Sequence, residues 1–165
     1  MLEVHRRRSQ HVLKGEHLMA KEVLLVTGAG QIGLAIGRRM GYGKKIVIAT
    51  RRPEKAQETL KTLTNAGFDA VVIPMDMASR ESIVNAVKTA QEYGPIKMLV
   101  NAAGVSPSQA TIEQILQIDL LGTAILIATV QGAAGSRALF RLFICNIESE
   151  STCRLQSLRR TLRPC

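Results

Sequence analysis

The chain has 165 residues, 46% hydrophobic and 21% charged, enough for one domain with its own core. Aromatic residues make up only 3%, too few to stack bases along a single strand, and the longest uncharged stretch, 120–136, is broken by Gly122, Thr123 and Gln131, short of a membrane span. The net charge of +9 divides as +2 over residues 1–18, +3 over 19–135 and +4 over 136–165. That is an excess at the two ends, not the basic stripe of a nucleic-acid binder.

Residues 1–18 hold all three histidines (His5, His11, His17) beside Arg6, Arg7 and Arg8. No apolar core follows the arginines, as a secretory signal would need, and the histidines lack the spacing of a metal site. An unstructured basic leader is expected, with Met19 a candidate native start. The body then alternates two patterns. Glu22 to Thr27 is a β-branched apolar run that reads as a buried strand, followed at once by Gly28-Ala-Gly30-Gln-Ile-Gly33 and a helix through Met40, with Ile32, Ile36 and Met40 on one side. Ile46 to Ala49 is a second strand. Pro53 opens the next helix, which carries Ala56, Leu60 and Leu63 and ends near Gly67.

Ala70 to Ile73 makes a third strand, and Ser79 caps a helix with Ile83, Val87 and Ala90 as its apolar stripe. Lys97 to Asn101 is the fourth strand. A long helix runs from about Thr111 to Val130, with a broad apolar face of Ile112, Ile115, Leu116, Ile118, Leu121 and Ile125. Leu142 to Cys145 is a candidate fifth strand. Strands apolar on both faces, alternating with amphipathic helices, predict a doubly wound parallel sheet of Rossmann type, in three α/β/α layers and incomplete at the C-terminus.

Beyond position 136 residue usage changes. Lysine is absent after Lys97, six of the fourteen arginines follow position 136, and all three cysteines (Cys145, Cys153, Cys165) fall in the last 21 residues. An odd cysteine count without a C-x-x-C pair argues against a disulfide framework or a zinc ribbon. The tail reads as an atypical Arg- and Cys-rich segment with a different coding history, such as out-of-frame translation, and as disordered past the candidate strand.

The glycine loop is the chemically informative element. A G-x-G-x-x-G between a strand and a helix is the setting of a dinucleotide site. Gly28 permits the sharp exit from the strand, Gly30 lets the main chain approach a pyrophosphate, and Gly33 lets helix and strand pack closely. The phosphates would then meet unpaired N–H groups at the helix start, at Gln31 and Ile32. At the end of the second strand an NAD site carries a carboxylate for the ribose; this chain has Thr50, Arg51 and Arg52. Two guanidiniums and no carboxylate favour the 2′-phosphate of NADP over NAD.

Thr27-Gly-Ala-Gly-Gln-Ile-Gly33, Asp76 after the third strand and Asn101-Ala-Ala-Gly104 after the fourth together resemble the short-chain dehydrogenase/reductase family over about residues 20–127. The glycine loop is one residue shorter than that family's usual pattern. The resemblance implies that Asp76 and Met77 border the adenine, and that Asn101, Ala102, Ala103 and Gly104 line the cofactor and support the central sheet. It implies hydride transfer between a nicotinamide and a small carbonyl or alcohol, with a Tyr as acid/base, a Lys four residues later and a Ser on the preceding strand. An Asn in the long helix completes the relay. Asp119 stands at the position resembling that Asn and is the one catalytic candidate.

The remaining parts do not match. Tyr93-Gly-Pro-Ile-Lys97 has the right spelling, but Gly94 and Pro95 make it a turn, so the two side chains cannot share a helical face. No Tyr follows it. Ser149 and Ser151 are candidates for the orienting serine only if the fifth strand is real. The expectation is therefore a truncated member of the family: residues 1–18 leader, 19–135 nucleotide-binding domain, 136–165 tail. It is expected to be cytoplasmic, without metal, nucleic-acid or membrane partners, with self-association left open, and to bind NADP(H) without turnover. The alternatives are a cofactor-sensing module without catalysis and a poorly folding gene product.

Overall fold

The structure, a computed structural model, describes residues 21–134 together with the main chain of 141–144 and 156–157. The elements run β1 (Val23–Thr27), α1 (Gln31–Met40), β2 (Lys45–Thr50), a 3-10 turn (Pro53–Ala56), α2 (Gln57–Asn65), β3 (Asp69–Pro74), α3 (Arg80–Glu92) and β4 (Ile96–Asn101). A long helical segment follows in three parts: α4 (Ile112–Ile115), a π-helical stretch (Leu116–Gly122) and α5 (Thr123–Ala134). The strands β5 (Arg141–Ile144) and β6 (Gln156–Ser157) complete a sheet of order β3-β2-β1-β4-β5-β6. The first five strands are parallel, which bears out the doubly wound reading, and β5 pairs with β4 where a fifth strand was expected. The tail differs from expectation at one point: β6 adds antiparallel to β5.

Alternation along the strands divides the core in two. Leu24, Val26, Ile46, Ile48, Met98 and Val100 face α1 and α2, where Leu63 is fully buried and Leu34, Ile36 and Met40 pack over them. Leu25, Val47, Ala49, Ile73 and Leu99 face α3 and α5, meeting Ile83, Ala86, Val87, Ala90, Leu126 and Val130. Each such side chain withdrawn from water contributes about 1.5–3 kcal/mol, so both layers are needed to hold the sheet. In α1 the buried positions are Gly33 and Gly37, while Ile32, expected on the apolar stripe, is only half-buried and outside the core. Ser79 caps α3 as expected, its side chain accepting from the Ser82 N–H at 3.3 Å.

The broad apolar face expected on the long helix needs correction. Of that face Ile118 and Ile125 are half-buried and pack against the core, beside the buried Thr123, Leu126 and Val130 of α5, whereas Ile112, Leu116 and Leu121 are exposed, as is Leu120. The length expectation also fails: Ile112–Ala133 contains an 18-residue window of mean hydropathy 1.6 and is long and apolar enough to cross a membrane, although it holds Glu113 and Asp119. In the fold, α5 is a covering helix of the sheet, held against α3 and β4.

At the foot of the sheet Asp69 accepts from Lys45 Nζ at 2.7 Å and Lys21 Nζ at 2.9 Å, joining β3 to β2. These ammonium groups, Lys45 first, hold the Asp69 carboxyl below its ordinary value of 3.8. At the head, the register aligns Thr27 with Ala49 on one side and Asn101 on the other. The loops after β1, β2 and β4 therefore leave from one level, where open α/β sheets bind ligands.

Candidate nucleotide site

Three strand ends build the site. β1 leaves through Gly28, whose φ of +84° is a conformation that side-chained residues rarely adopt. A side-chain carbon placed there would lie 2.8 Å from the Ala102 carbonyl oxygen, so the loop after β1 lies directly against the loop after β4. At Gly33 such a carbon would strike the Gly28 carbonyl and crowd the Val26 side chain, which is the close helix–strand packing expected of this position. Gly30 has open space instead. It precedes α1, whose first turn carries no acidic residue and whose leading N–H groups have no partner within the helix.

These loops enclose a cleft of about 340 Å³ lined by Gly28, Gly30, Thr50, Arg51, Arg52, Met77, Ala102, Ala103 and Gly104 among the expected residues. Arg51 and Arg52 are both exposed. The structure adds Ala29, Ala49, Met75, Val105 and Ile118 to the walls. These are small or apolar residues in loops, at strand ends or, for Ile118, within the π-helical stretch.

Five expected residues stand behind the wall or beside it. Gln31, Ile32 and Gly33 offer the main-chain start of α1. Asp76 lies in the turn after β3, where its carboxylate accepts from the Ala78 N–H at 2.9 Å and its own N–H donates to Ser82 Oγ at 2.9 Å. Asn101 is 3% exposed and sits beneath the cleft. It accepts from the Thr27 hydroxyl and donates through Nδ2 to Thr123 Oγ1 at 2.8 Å, so β1, β4 and α5 are joined by one buried polar chain. Among the described residues no buried side-chain nitrogen or oxygen lacks a partner.

Asp119 occupies the π-helical stretch, a widened helical turn often found at functional sites. Its Oδ1 accepts from the Val105 N–H at 3.1 Å, and the carboxylate packs behind Gly104. Burial raises its pKa above the ordinary 3.8, opposed by the Val105 hydrogen bond. Its contacts thus run to the loop after β4. The same stretch is tied to the turn after β3 by Gln117 Nε2, which donates to the Ala78 carbonyl at 3.1 Å.

The Tyr93–Lys97 spelling is placed as its turn residues indicated. Tyr93 closes α3 and has Lys45 Nζ 5.1 Å from its ring centroid, Gly94 has φ +144°, and Lys97 lies within β4. Both belong to the foot of the sheet, opposite the cleft. Ser149, Ser151, the histidines and the cysteines lie outside the described residues.

Comparison with known proteins agrees with this architecture. Residues 22–137 match the family described as short chain dehydrogenase. A short-chain dehydrogenase/reductase of Alternaria brassicicola is 34% identical over 110 residues, covering 67% of this chain and 40% of its own length. A putative ketoacyl reductase of the granaticin polyketide synthase of Streptomyces violaceoruber is 36% identical over 140 residues, or 79% of this chain and 52% of that protein. Among solved structures, an actinorhodin polyketide ketoreductase variant with NADPH superimposes with a TM-score of 0.63 at 34% identity, over 70% of this chain and 48% of the other. The chain thus spans about half the length of the relatives it matches. By sequence and by fold, it belongs to the short-chain dehydrogenase/reductase family.

Proposed function

We propose that this chain forms the NADP(H)-binding portion of an oxidoreductase that interconverts small carbonyl compounds and alcohols. One observation carries the cofactor reading: the carboxylate-free start of α1 follows Gly30 in a cleft that Arg51 and Arg52 also line. Partial positive charge at a helix start and two guanidiniums suit the pyrophosphate and the 2′-phosphate of one NADP(H). The NADPH of the actinorhodin ketoreductase structure supports the same choice. When bound, the nicotinamide would supply or accept the hydride.

The residues divide the work by position. Gly28, Gly30, Gln31, Ile32 and Gly33 present main-chain donors to the pyrophosphate. Thr50, Arg51 and Arg52 take the ribose phosphate, with Asp76 and Met77 beside the adenine. Ala102, Ala103 and Gly104 form the wall along the rest of the cofactor, and Asn101 holds that wall to the sheet. Asp119 fixes the wall's outer end through Val105 and stands where the resemblance puts a proton-relay group. Residues 19–135 form the nucleotide-binding domain in this reading, and a cytoplasmic setting belongs to the same proposal.

Within these 165 residues no Tyr follows Tyr93, so no phenol is available at the head of the sheet to move the substrate's proton. The chain by itself is proposed to bind NADP(H) and to leave carbonyls unreduced. Parallel titrations with NADPH and NADH test the reading. NADPH is expected to bind the more tightly; tighter NADH binding overturns the choice of cofactor, and indifference to both overturns the site.

A further inference from the structure

Among the described residues, one side chain holds the glycine loop from outside. Thr59, half-buried in the first turn of α2, donates its hydroxyl to the Ala29 carbonyl at 2.9 Å. The other bonds of the loop are main-chain: Gly28 N–H to the Ala49 carbonyl at 2.9 Å, and Leu34 N–H to the Gly30 carbonyl at 3.0 Å. The described chain has no cis peptide, so the C=O and N–H of the Ala29–Gly30 unit point in opposite directions. Anchoring the carbonyl on α2 therefore turns the Gly30 N–H away from α2. Gly30 lines the cleft and has open space around it, and the unpartnered N–H groups of α1 come next in the chain. If that peptide flipped, a carbonyl oxygen would replace an N–H at this point and repel an anion.

We propose that Thr59 is a positioning residue for the pyrophosphate: its bond to Ala29 holds the first peptide of the loop with the N–H offered and the carbonyl withheld. The same bond ties the loop to α2, which is separated from Arg51 and Arg52 only by the turn Pro53–Ala56. The inference deepens the NADP(H) reading above and rests on it. Thr59 has no part in it as a direct ligand.

The test uses the full chain as wild type, Thr59→Val and Thr59→Ser, with two ligands. NADPH contains the pyrophosphate; 2′-AMP carries the adenosine and its 2′-phosphate without one. Thr59→Val is expected to weaken NADPH binding by roughly fivefold to tenfold, the loss of one half-buried hydrogen bond, and to leave 2′-AMP binding unchanged. Thr59→Ser, which restores the hydroxyl, is expected to recover wild-type affinity. In the ligand-free chain, amide hydrogen exchange over residues 29–33 is expected to quicken in Thr59→Val and not in Thr59→Ser. If Thr59→Val binds NADPH like wild type, or weakens both ligands equally, the proposal is overturned while the cofactor reading stands. If wild type binds no NADPH, the cofactor reading falls, and the proposal falls with it.

Discussion

Asn101 and Thr123, 22 residues apart in sequence, meet beneath the cleft with Nδ2 donating to Oγ1 at 2.8 Å. The other end of the same amide accepts from Thr27. One side chain thus completes the hydrogen bonding of two buried hydroxyls and fixes the level of the loop that follows β4. Replacing Asn101 with Ala strands both hydroxyls away from water. The expected cost is about 2–4 kcal/mol of folding stability, read from urea denaturation. A loss within experimental error would mean that this polar chain does not hold the sheet together.

Two glycines in one loop are expected to respond in opposite ways. Gly28→Ala forces a side chain into a left-handed conformation and against the Ala102 carbonyl, and is expected to lower stability by about 1–3 kcal/mol. Gly30 has an ordinary φ of −77° and open space, so Gly30→Ala should melt with the wild type. Its methyl group would instead stand where the phosphates approach, and NADPH affinity should fall on the order of tenfold or more. Thermal melts beside fluorescence titrations separate the two effects.

Arg51 and Arg52 are exposed, so neither is needed to build the fold. Arg51→Ala and Arg52→Ala are each expected to weaken NADPH binding by about tenfold, the worth of a charge-assisted hydrogen bond, and to leave NADH binding unchanged. The double variant should lose the preference between the two dinucleotides. The wild-type preference should also shrink as salt is added, since both guanidiniums are open to screening. Isothermal titration across ionic strength would check both statements.

Burial raises the pKa of Asp119 above 3.8, so the folded state favours the protonated carboxyl. The corresponding stability is fully present below the unfolded value and is lost as pH rises through the folded one. Asp119→Asn keeps an oxygen for the Val105 N–H and carries no charge. It is expected to be the more stable protein at neutral pH, by less than about 1 kcal/mol because solvent reaches the carboxylate. The advantage should vanish in acid, and denaturation midpoints measured from acid to neutral pH would reveal a curve of the opposite slope if the sign were wrong.

The strands were legible because runs such as Val23–Thr27 and Lys45–Thr50 are β-branched and bounded by glycine, proline or charge. The cleft was legible where it depends on glycine and arginine, at Gly28, Gly30, Arg51 and Arg52. It was not legible at Ala49, Met75 or Ile118, because an apolar residue in a strand, turn or helix looks the same whether it faces the core or a ligand. Spacing along the helix after β4 also misled. Ile112 and Leu116 share a face at helical period, but period does not say whether anything lies beneath, and here that part of the helix stays exposed. The π-helical stretch around Asp119 left no mark in the residue pattern.

The near-contact of Gly28 with Ala102 has a consequence for binding. The exits of β1 and β4 pack main chain against main chain there, so a shift of either loop is resisted by the other. A dinucleotide arriving at the described residues would therefore meet a wall formed before it binds, and that stretch of wall would add little ordering cost to association.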